Sequence, residues 1–577
     1  MSWLFAVSGT RTSDSYCHPT PHWTFSTGTI YLAIGGYSGT GLWEIETETS
    51  PGWAVVGIGI LKMNHKCCIL TRDDWRRVLS VEFPDLSCLD GHFVALRWKS
   101  DKLECFTDQL GLRTLYFSKY DKGICISTRL DWVAQTSKCS EIDFAALGSR
   151  WILFNQVSYE SCVVGIDRLG PAGHATFRDG VVIHSTMYTP WLPTFTPNST
   201  ALPIECLQGF VQCALNHRYK PSLGLSGGLD SRLILALLAS SPGAEFTTHT
   251  IGDLQDPDVQ IAKSITSALA IPHRHFDEPL PETSQCIKGI RSYVAQTILV
   301  EPSTSWLKLR YYPRLREEGR LMIDGGFGEI ARRQYLNRVV RLGRRALLLR
   351  DVSRLLQLMR TPRADIFSIE IVGLLQNGAQ QSLEKALDEM PNVETIGVEN
   401  FADLLAVRTR VPNYGAPEQS RIDGEILNIM PLVQPSFLRA IFGLPVKVRS
   451  NAGLYYDLIR KECPALSRFP LAKSGFRYRF GLSSNVAWLI VKLKSKFAKG
   501  YFDTKPDMLL AHLREYVLDI SHSNEVMTNA MYNHRRLLDA ITRYYGGELH
   551  LRNTVDWWLT FELWRRSFSS QDSHTSI

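Results

Sequence analysis

The stretch Ser226-Gly227-Gly228-Leu229-Asp230-Ser231 sets two glycines, two hydroxyls and a carboxylate between an apolar strand-like run and an apolar helix-like run. Adjacent glycines free the backbone, so that successive N–H groups can converge on one point. The helix that follows adds its positive end, and Ser226 and Ser231 add hydroxyl donors. Such a corner suits a polyanion. Asp230 repels one unless a cation stands between them, and Mg²⁺, held by one or two carboxylates plus phosphate oxygens, is the natural choice. The corner therefore reads as a cradle for Mg²⁺-bound pyrophosphate. The plain alternative is a serine-capped glycine turn that holds no ligand. No Gly-Lys-Ser/Thr follows the glycines, so the corner is not of the Walker type.

A strand over 222–225 and a helix from Ser231 must position that corner. A second unit follows: the strand "EFTTHTIGD", the helix "DVQIAKSITSALA" and the strand "HRHF". Further on, "RLMIDGG" is a strand running into glycines, which sets the turn from Asp324 to Glu329 at another strand end. Strands alternating with helices predict a parallel sheet, whose ligands bind beyond the carboxyl ends of the strands. Upstream, to about Pro190, "TIYLAIGG", "WAVVGIGIL", "HFVALRW", "LYFSKY" and "ICIST" are short runs rich in β-branched and aromatic residues. A Pro- and Thr-rich stretch, Tyr188 to Thr200, separates the two patterns, and beyond about Ala331 the chain reads as mostly helical. The expected fold class is α/β, with a β-rich region to about Pro190 and, beyond the Pro- and Thr-rich stretch, a parallel-sheet domain with a helical C-terminal part.

The bulk figures agree with two domains in 577 residues. Hydrophobic content of 44% and charged content of 21% are those of a soluble globular protein, and a net charge of +7 does not by itself call for nucleic acid. No apolar run reaches bilayer-spanning length, and the opening residues lack the pattern of a signal peptide. The 12 cysteines form no C-x-x-C pair, and Cys67-Cys68 near His65 have no answering ligand cluster. Reduced thiols in a cytoplasmic protein are expected. The arginine-dense stretch from Ala331 to Arg360 has the spacing of a solvated amphipathic helix, or of the wall of a phosphate or acidic-peptide channel.

The spacing of SGGLDS resembles the SGGxDS loop of the ATP pyrophosphatase superfamily. The wider chain resembles asparagine synthetase-like enzymes. "DGHFVALRWKSDKLECFTDQLGLRTLYF" and "IDRLGPAGHATF" are similar to segments of that family's glutaminase-type (Ntn-type) sandwich. "HTIGD" is similar to its adenine-side strand, and "IDGGFGE" stands where it has S-G-E-G-x-D-E. "PLVQPSFLRAIFGLP" and "GLYYDLIRKECPA…RFPLAKSGF" match its later segments in order. The resemblance implies a degenerate class II glutamine amidotransferase-like domain over 1–195. It also implies an ATP pyrophosphatase domain of the adenine-nucleotide α-hydrolase-like kind over 196–577.

On that resemblance Ser226, Gly227, Gly228, Asp230 and Ser231 hold the pyrophosphate of ATP, and Ile251 and Gly252 meet the adenine. Asp230 and Glu329 hold Mg²⁺, with Asp324 in reserve; Glu329 stands where relatives use aspartate, and can also be read as an ordinary helix N-terminal acid. Lys473 matches the lysine that neutralises charge in the transition state, or is a surface lysine beside a glycine turn. Arg460 is a second clamp or a helix-surface arginine. The general base is unnamed, because relatives carry tyrosine or glutamate where this chain has Gly325-Gly326.

The departures narrow the expected function. Family glutaminases use an N-terminal cysteine, whereas this chain begins Met1-Ser2-Trp3 and its first cysteine is Cys17. Thr107 replaces an arginine, and no N-G-E segment is present. The N-terminal half is expected to be inert toward glutamine, so the amine must arrive on a substrate. The expected reaction adenylates a carboxylate with ATP and Mg²⁺, releases pyrophosphate, and lets an amine displace AMP. Among members without the nucleophile, the chain looks more like the macrolactam synthetases that close lasso peptides than like β-lactam synthetases. That reading implies a linear core peptide as substrate, a leader peptidase and a precursor-recognition partner, and neither nucleic acid nor a membrane span. A different ATP-dependent amide ligase and a catalytically dead partner-binding scaffold are the rivals.

Overall fold

The computed structural model describes residues 2–9, 16–63, 66–121, 123–195, 199–498 and 500–569. Met1, His65 and residues 196–198 of the expected linker lie outside the described residues. Two antiparallel sheets form the N-terminal half. One runs, in spatial order, Asp167–Leu169, Leu115–Tyr120, Gly123–Ser127, Trp3–Gly9, Ile30–Gly35 and Trp23–Ser26. The other runs Val181–Thr186, His174–Arg178, Lys102–Thr107, Asp90–Lys99, Gly52–Met63 and Gly41–Glu44, with Lys66–Ile69 also paired to Gly52–Met63. Alternation sorts Asp90–Lys99 between two cores. Val94, Leu96 and Trp98 meet Leu4, Leu32, Phe117 and Phe177 between the sheets. Phe93 and Ala95 meet Trp75 and Leu79 on the outer face. The helix Arg72–Ser80 supplies that cover, and a capping box between Thr71 and Asp74 starts it.

The second half is built on five parallel strands: Lys220–Gly224, Thr247–Ile251, His273–Phe276, Arg320–Ile323 and Asn428–Ile429. Numbered along the chain, they lie in the order three, two, one, four, five. The order reverses between Lys220–Gly224 and Arg320–Ile323, which pair from Lys220↔Arg320 to Leu223↔Ile323. A crevice opens at such a reversal, beyond the carboxyl ends of the strands. The helix Leu229–Ser240 follows the first strand, and its Leu233–Leu238 run is wholly buried.

Later helices complete the molecule. The helices Val398–Arg410 and Ala416–Glu425 are joined without a break by a π-helical turn, Val411–Gly415. The helix Arg552–Arg566 is buried along Val555–Trp564. It shares one aromatic core with Trp3, Phe5, Trp132 and Trp151 of the first half. Buried polar contacts also cross between the halves. Asp423 accepts from Arg113 Nη2 at 2.7 Å and lies 2.7 Å from His92 Nε2. Gln434 Oε1 accepts the Gly91 N–H, and Arg168 donates to Asn413 Oδ1 and to the Pro412 carbonyl in the π turn.

Candidate active site

The loop from Ser226 and the turn from Asp324 flank the sheet's reversal and line one cavity of about 680 Å³. Ser226, Gly228, Asp230 and Ser231 lie in its wall, as do His249 to Gly252 at the next strand end and Asp324 to Gly326 opposite. Gly227 does not. Neither glycine of the loop has a positive φ, so dihedral freedom is not what position 227 requires. A Cβ there would stand 2.8 Å from the Ala472 Cβ and 3.0 Å from Ile261 Cδ1. Glycine is needed because the strand Leu471–Lys473 presses on the loop, with the Ala472 N–H donating to the Gly227 carbonyl at 3.0 Å.

The loop's amides do not converge on one empty point. The Ser226 N–H donates to Ser231 Oγ (3.2 Å), that of Gly227 to Asp258 Oδ1 (2.7 Å) and that of Gly228 to Ser226 Oγ (3.1 Å). The hydroxyls of Ser226 and Ser231 are 3.1 Å apart. They and the first turn of Leu229–Ser240 are the donors on the cavity side. Asp258 is half-buried between the loop and the cavity; partial burial raises its pKa and the Gly227 N–H opposes that rise.

Three carboxylates gather at the reversal. Arg332 grips Asp230 through two hydrogen bonds, Nε to Oδ1 at 2.7 Å and Nη2 to Oδ2 at 2.9 Å. Burial raises the Asp230 pKa, and Arg332 opposes it. Burial also works against the charged guanidinium of Arg332, but Asp230 and Glu329 hold its pKa above the ordinary value. Glu329 is outside the cavity lining and accepts from Arg410 Nε at 3.0 Å. Asp324 accepts the Gly326 N–H at 2.9 Å and makes no ion pair among the described residues. Burial pushes its carboxyl up to about 6; the Gly326 N–H opposes this, and the Asp230 and Glu329 charges add to it.

Three acids thus face two guanidiniums, an arrangement that one further cation would relieve. No group of three metal-ligating side chains converges among the described residues. Mg²⁺ on a nucleotide needs only one or two carboxylates beside the phosphate oxygens. Asp230 and Asp324 face the cavity and fit Mg²⁺ in this sense, whereas the Glu329 carboxylate is turned to Arg410. Gly325 makes the approach possible, since a Cβ there would stand 2.8 Å from the Ser231 amide nitrogen. Phe327 follows in the left-handed region, at φ 65°. That conformation is costly for a bulky residue and is found where function demands it.

Lys473 closes the strand Leu471–Lys473, beside the cavity and not in its lining. Its side chain reaches solvent, yet partial desolvation and the Arg332 guanidinium lower its pKa. Arg460 pairs with Asp457 at the surface, as a helix-surface arginine does. Ser2 is fully buried; Thr40 and Arg113 donate to its hydroxyl, and it is not part of the cavity at Ser226.

Two residues of this site escaped the sequence. Arg332 stands in the stretch expected to form a solvated helix, yet it and Arg333 turn inward to Asp230 and Asp403. The later part of that stretch, through Asn337–Leu349 and Val352–Met359, does present arginines to water. Glu418 enters the cavity wall from Ala416–Glu425. Burial pushes it up to about 7; Arg421 opposes the rise, and Glu301 and Asp324 add to it.

No curated protein matches the chain in sequence. Two of the solved structures that match it do so weakly. Glutamine phosphoribosylpyrophosphate amidotransferase from B. subtilis, complexed with ADP and GMP, matches at 11% identity over 53% of this chain and 64% of that one, with a TM-score of 0.19. The second, described as the allosteric regulatory enzyme of purine biosynthesis, matches at 10% identity over 60% of this chain and 72% of that one, with a TM-score of 0.20. Residues 205–314, which hold the Ser226 loop, the strand Thr247–Ile251 and the helix between them, match the asparagine synthase family, and the chain is asparagine synthetase-like there.

Proposed function

We propose that the protein is an ATP-dependent carbon–nitrogen ligase that activates a carboxylate as its acyl-adenylate, releases pyrophosphate, and joins the acyl group to an amine. The observation that carries this reading is the meeting of Asp230 with Arg332 and the Asp324 turn at the sheet's reversal, in one cavity with the strand end at Ile251 and Gly252. The hydroxyls of Ser226 and Ser231 and the start of Leu229–Ser240 receive the phosphates, and Ile251 and Gly252 border the adenine. Bound between Asp230, Asp324 and the phosphates, Mg²⁺ would supply charge neutralisation and hold the pyrophosphate as a leaving group. Arg332 is placed to follow negative charge from Asp230 to a phosphate, and Lys473, beside it, adds positive charge where the carboxylate meets the α-phosphate. Glu418 is the group placed to take the proton from the attacking amine.

The finer reading is macrolactam closure: an Asp or Glu side chain of a linear core peptide is activated and then captured by the peptide's own N-terminal amine. Ser2, buried under Thr40 and Arg113, supports a half that supplies no ammonia. A leader peptidase and a precursor-recognition partner belong to this reading.

The test supplies core peptide, ATP and Mg²⁺. AMP and pyrophosphate are expected, with a product lighter than the peptide by the mass of one water. Asp230→Ala and Lys473→Ala should each lower turnover by at least about 10²-fold. Release of ADP and phosphate instead would remove the adenylation reading. Formation of AMP with small amino acids, but with no peptide, would remove macrolactam closure and leave the ligase.

A further inference from the structure

The helix Ser484–Phe497 turns an apolar stripe to water. Ala487 and Val491 are its buried positions. Val486, Leu489, Leu493 and Phe497 recur every three or four residues on another face, and with Trp488 they are 44% to 87% exposed. Lys492 and Lys496 edge this stripe, and the Lys492 ammonium lies 4.7 Å from the centroid of the Trp488 ring. The helix Asn337–Leu349 extends the same surface. Arg341 Nη1 donates to Asn485 Oδ1 at 3.1 Å, Leu342 is exposed beside it, and Arg338 and Arg345 stand one turn to either side. Arg344 turns away to Glu399.

Charge singles this surface out. From Leu471 to Phe502 the chain carries seven lysines and arginines and no carboxylate, which equals the formal net charge of +7 for all 577 residues. The rest of the molecule is balanced. Single exposed leucines are ordinary; a contiguous stripe of large apolar side chains inside an uncompensated positive field is not. A nucleic-acid strand would call for stacking platforms along a groove, and this stripe is mostly aliphatic. Leu, Val, Phe and Trp edged by lysines are the make-up of helices that lie among lipid headgroups.

We propose that this face docks on an anionic lipid surface, with Ser484–Phe497 lying in the headgroup plane. No described helix is long and apolar enough to cross a membrane, and the docking proposed here is peripheral. The hairpin that rests on Gly227 precedes the helix, and Tyr501, which lines the cavity, follows it. A docked surface therefore lies beside the cavity. The inference does not depend on the reaction assigned above.

Sedimentation of the full chain with vesicles tests it. Mixed phosphatidylglycerol–phosphatidylcholine vesicles should bind at least about tenfold more protein than phosphatidylcholine alone. The double variants Leu489→Asp/Leu493→Asp and Lys492→Glu/Lys496→Glu should each lose that binding by about tenfold or more. Both should melt as the wild type does, since all four side chains face water. Equal binding to the two vesicle types, retained binding in both variants, or no binding by the wild type would each overturn the proposal. The last result is the one expected if an acidic protein, and not lipid, covers this face.

Discussion

Glu418 sits in the cavity wall with Glu301 and Asp324 near it and Arg421 opposing them, and burial brings its carboxyl to about 7. A proton acceptor works best when its pKa lies near the operating pH. Product formation should therefore rise with pH through about 7 and then level off. Glu418→Gln should lower amide formation by about 10²- to 10⁴-fold. Carboxylate-dependent exchange of pyrophosphate into ATP should persist, because that step needs no amine. Equal loss of both activities would remove Glu418 from the amine step. The same shift bears on stability. A carboxyl with a raised folded-state pKa favours folding below the unfolded pKa, and that contribution is lost as pH rises through the folded pKa. Glu418→Gln should accordingly melt higher than the wild type at pH ~8 and alongside it at pH ~4, both comparisons following from the linkage relation.

The strand Leu471–Lys473 and the Ser226 loop meet across a distance that only glycine permits, and this contact makes a test at the scale of elements. Gly227→Ala would drive a methyl group into Ala472 and Ile261, at a cost of about 1–3 kcal/mol in stability. It should also shift Lys473 and depress turnover beyond what the lost stability explains. Gly373→Ala is the control. Nothing lies within 4 Å of its Cβ position in the helix Ile369–Asp388, so it should stabilise by about 0.5–1 kcal/mol. Unchanged turnover in Gly227→Ala would mean that the hairpin does not position Lys473. How legible the elements were in the sequence follows the same logic of local against distant contacts. The strands and helices around Ser226 and Ile251 declared themselves, because hydrophobic period and glycine placement are local signals. The strand Asn428–Ile429 is two residues long and leaves no such trace. Arg332 was hidden because helical spacing alone cannot distinguish an arginine in water from one gripping a half-buried carboxylate in a cavity wall. Glu418 was hidden because a π turn, anchored from the other half by Arg168, sets the angle at which its helix reaches the cavity.

The two halves share one aromatic core, and at the scale of the molecule this predicts that they unfold together. Trp558 is fully buried in the helix Arg552–Arg566, in the cluster that also holds Trp3, Trp132 and Trp151. Trp558→Ala should cost about 3–5 kcal/mol and lower the melting of both halves, read by hydrogen exchange in Trp3–Gly9 and in Leu229–Ser240. Loss of protection in one alone would make the halves independent. The shared core also orders events during synthesis. Trp3 and Phe5 are made early and Trp132, whose ring meets that of Trp3 edge-on at 5.1 Å, follows soon after, but the helix Arg552–Arg566 that completes the cluster is made some 550 residues after Trp3. At about 5–20 residues per second, the shared cluster waits roughly half a minute to two minutes for its last helix. A nascent chain of this design needs something to shield those aromatic side chains meanwhile, and its yield should depend on chaperone supply more than its final stability would suggest.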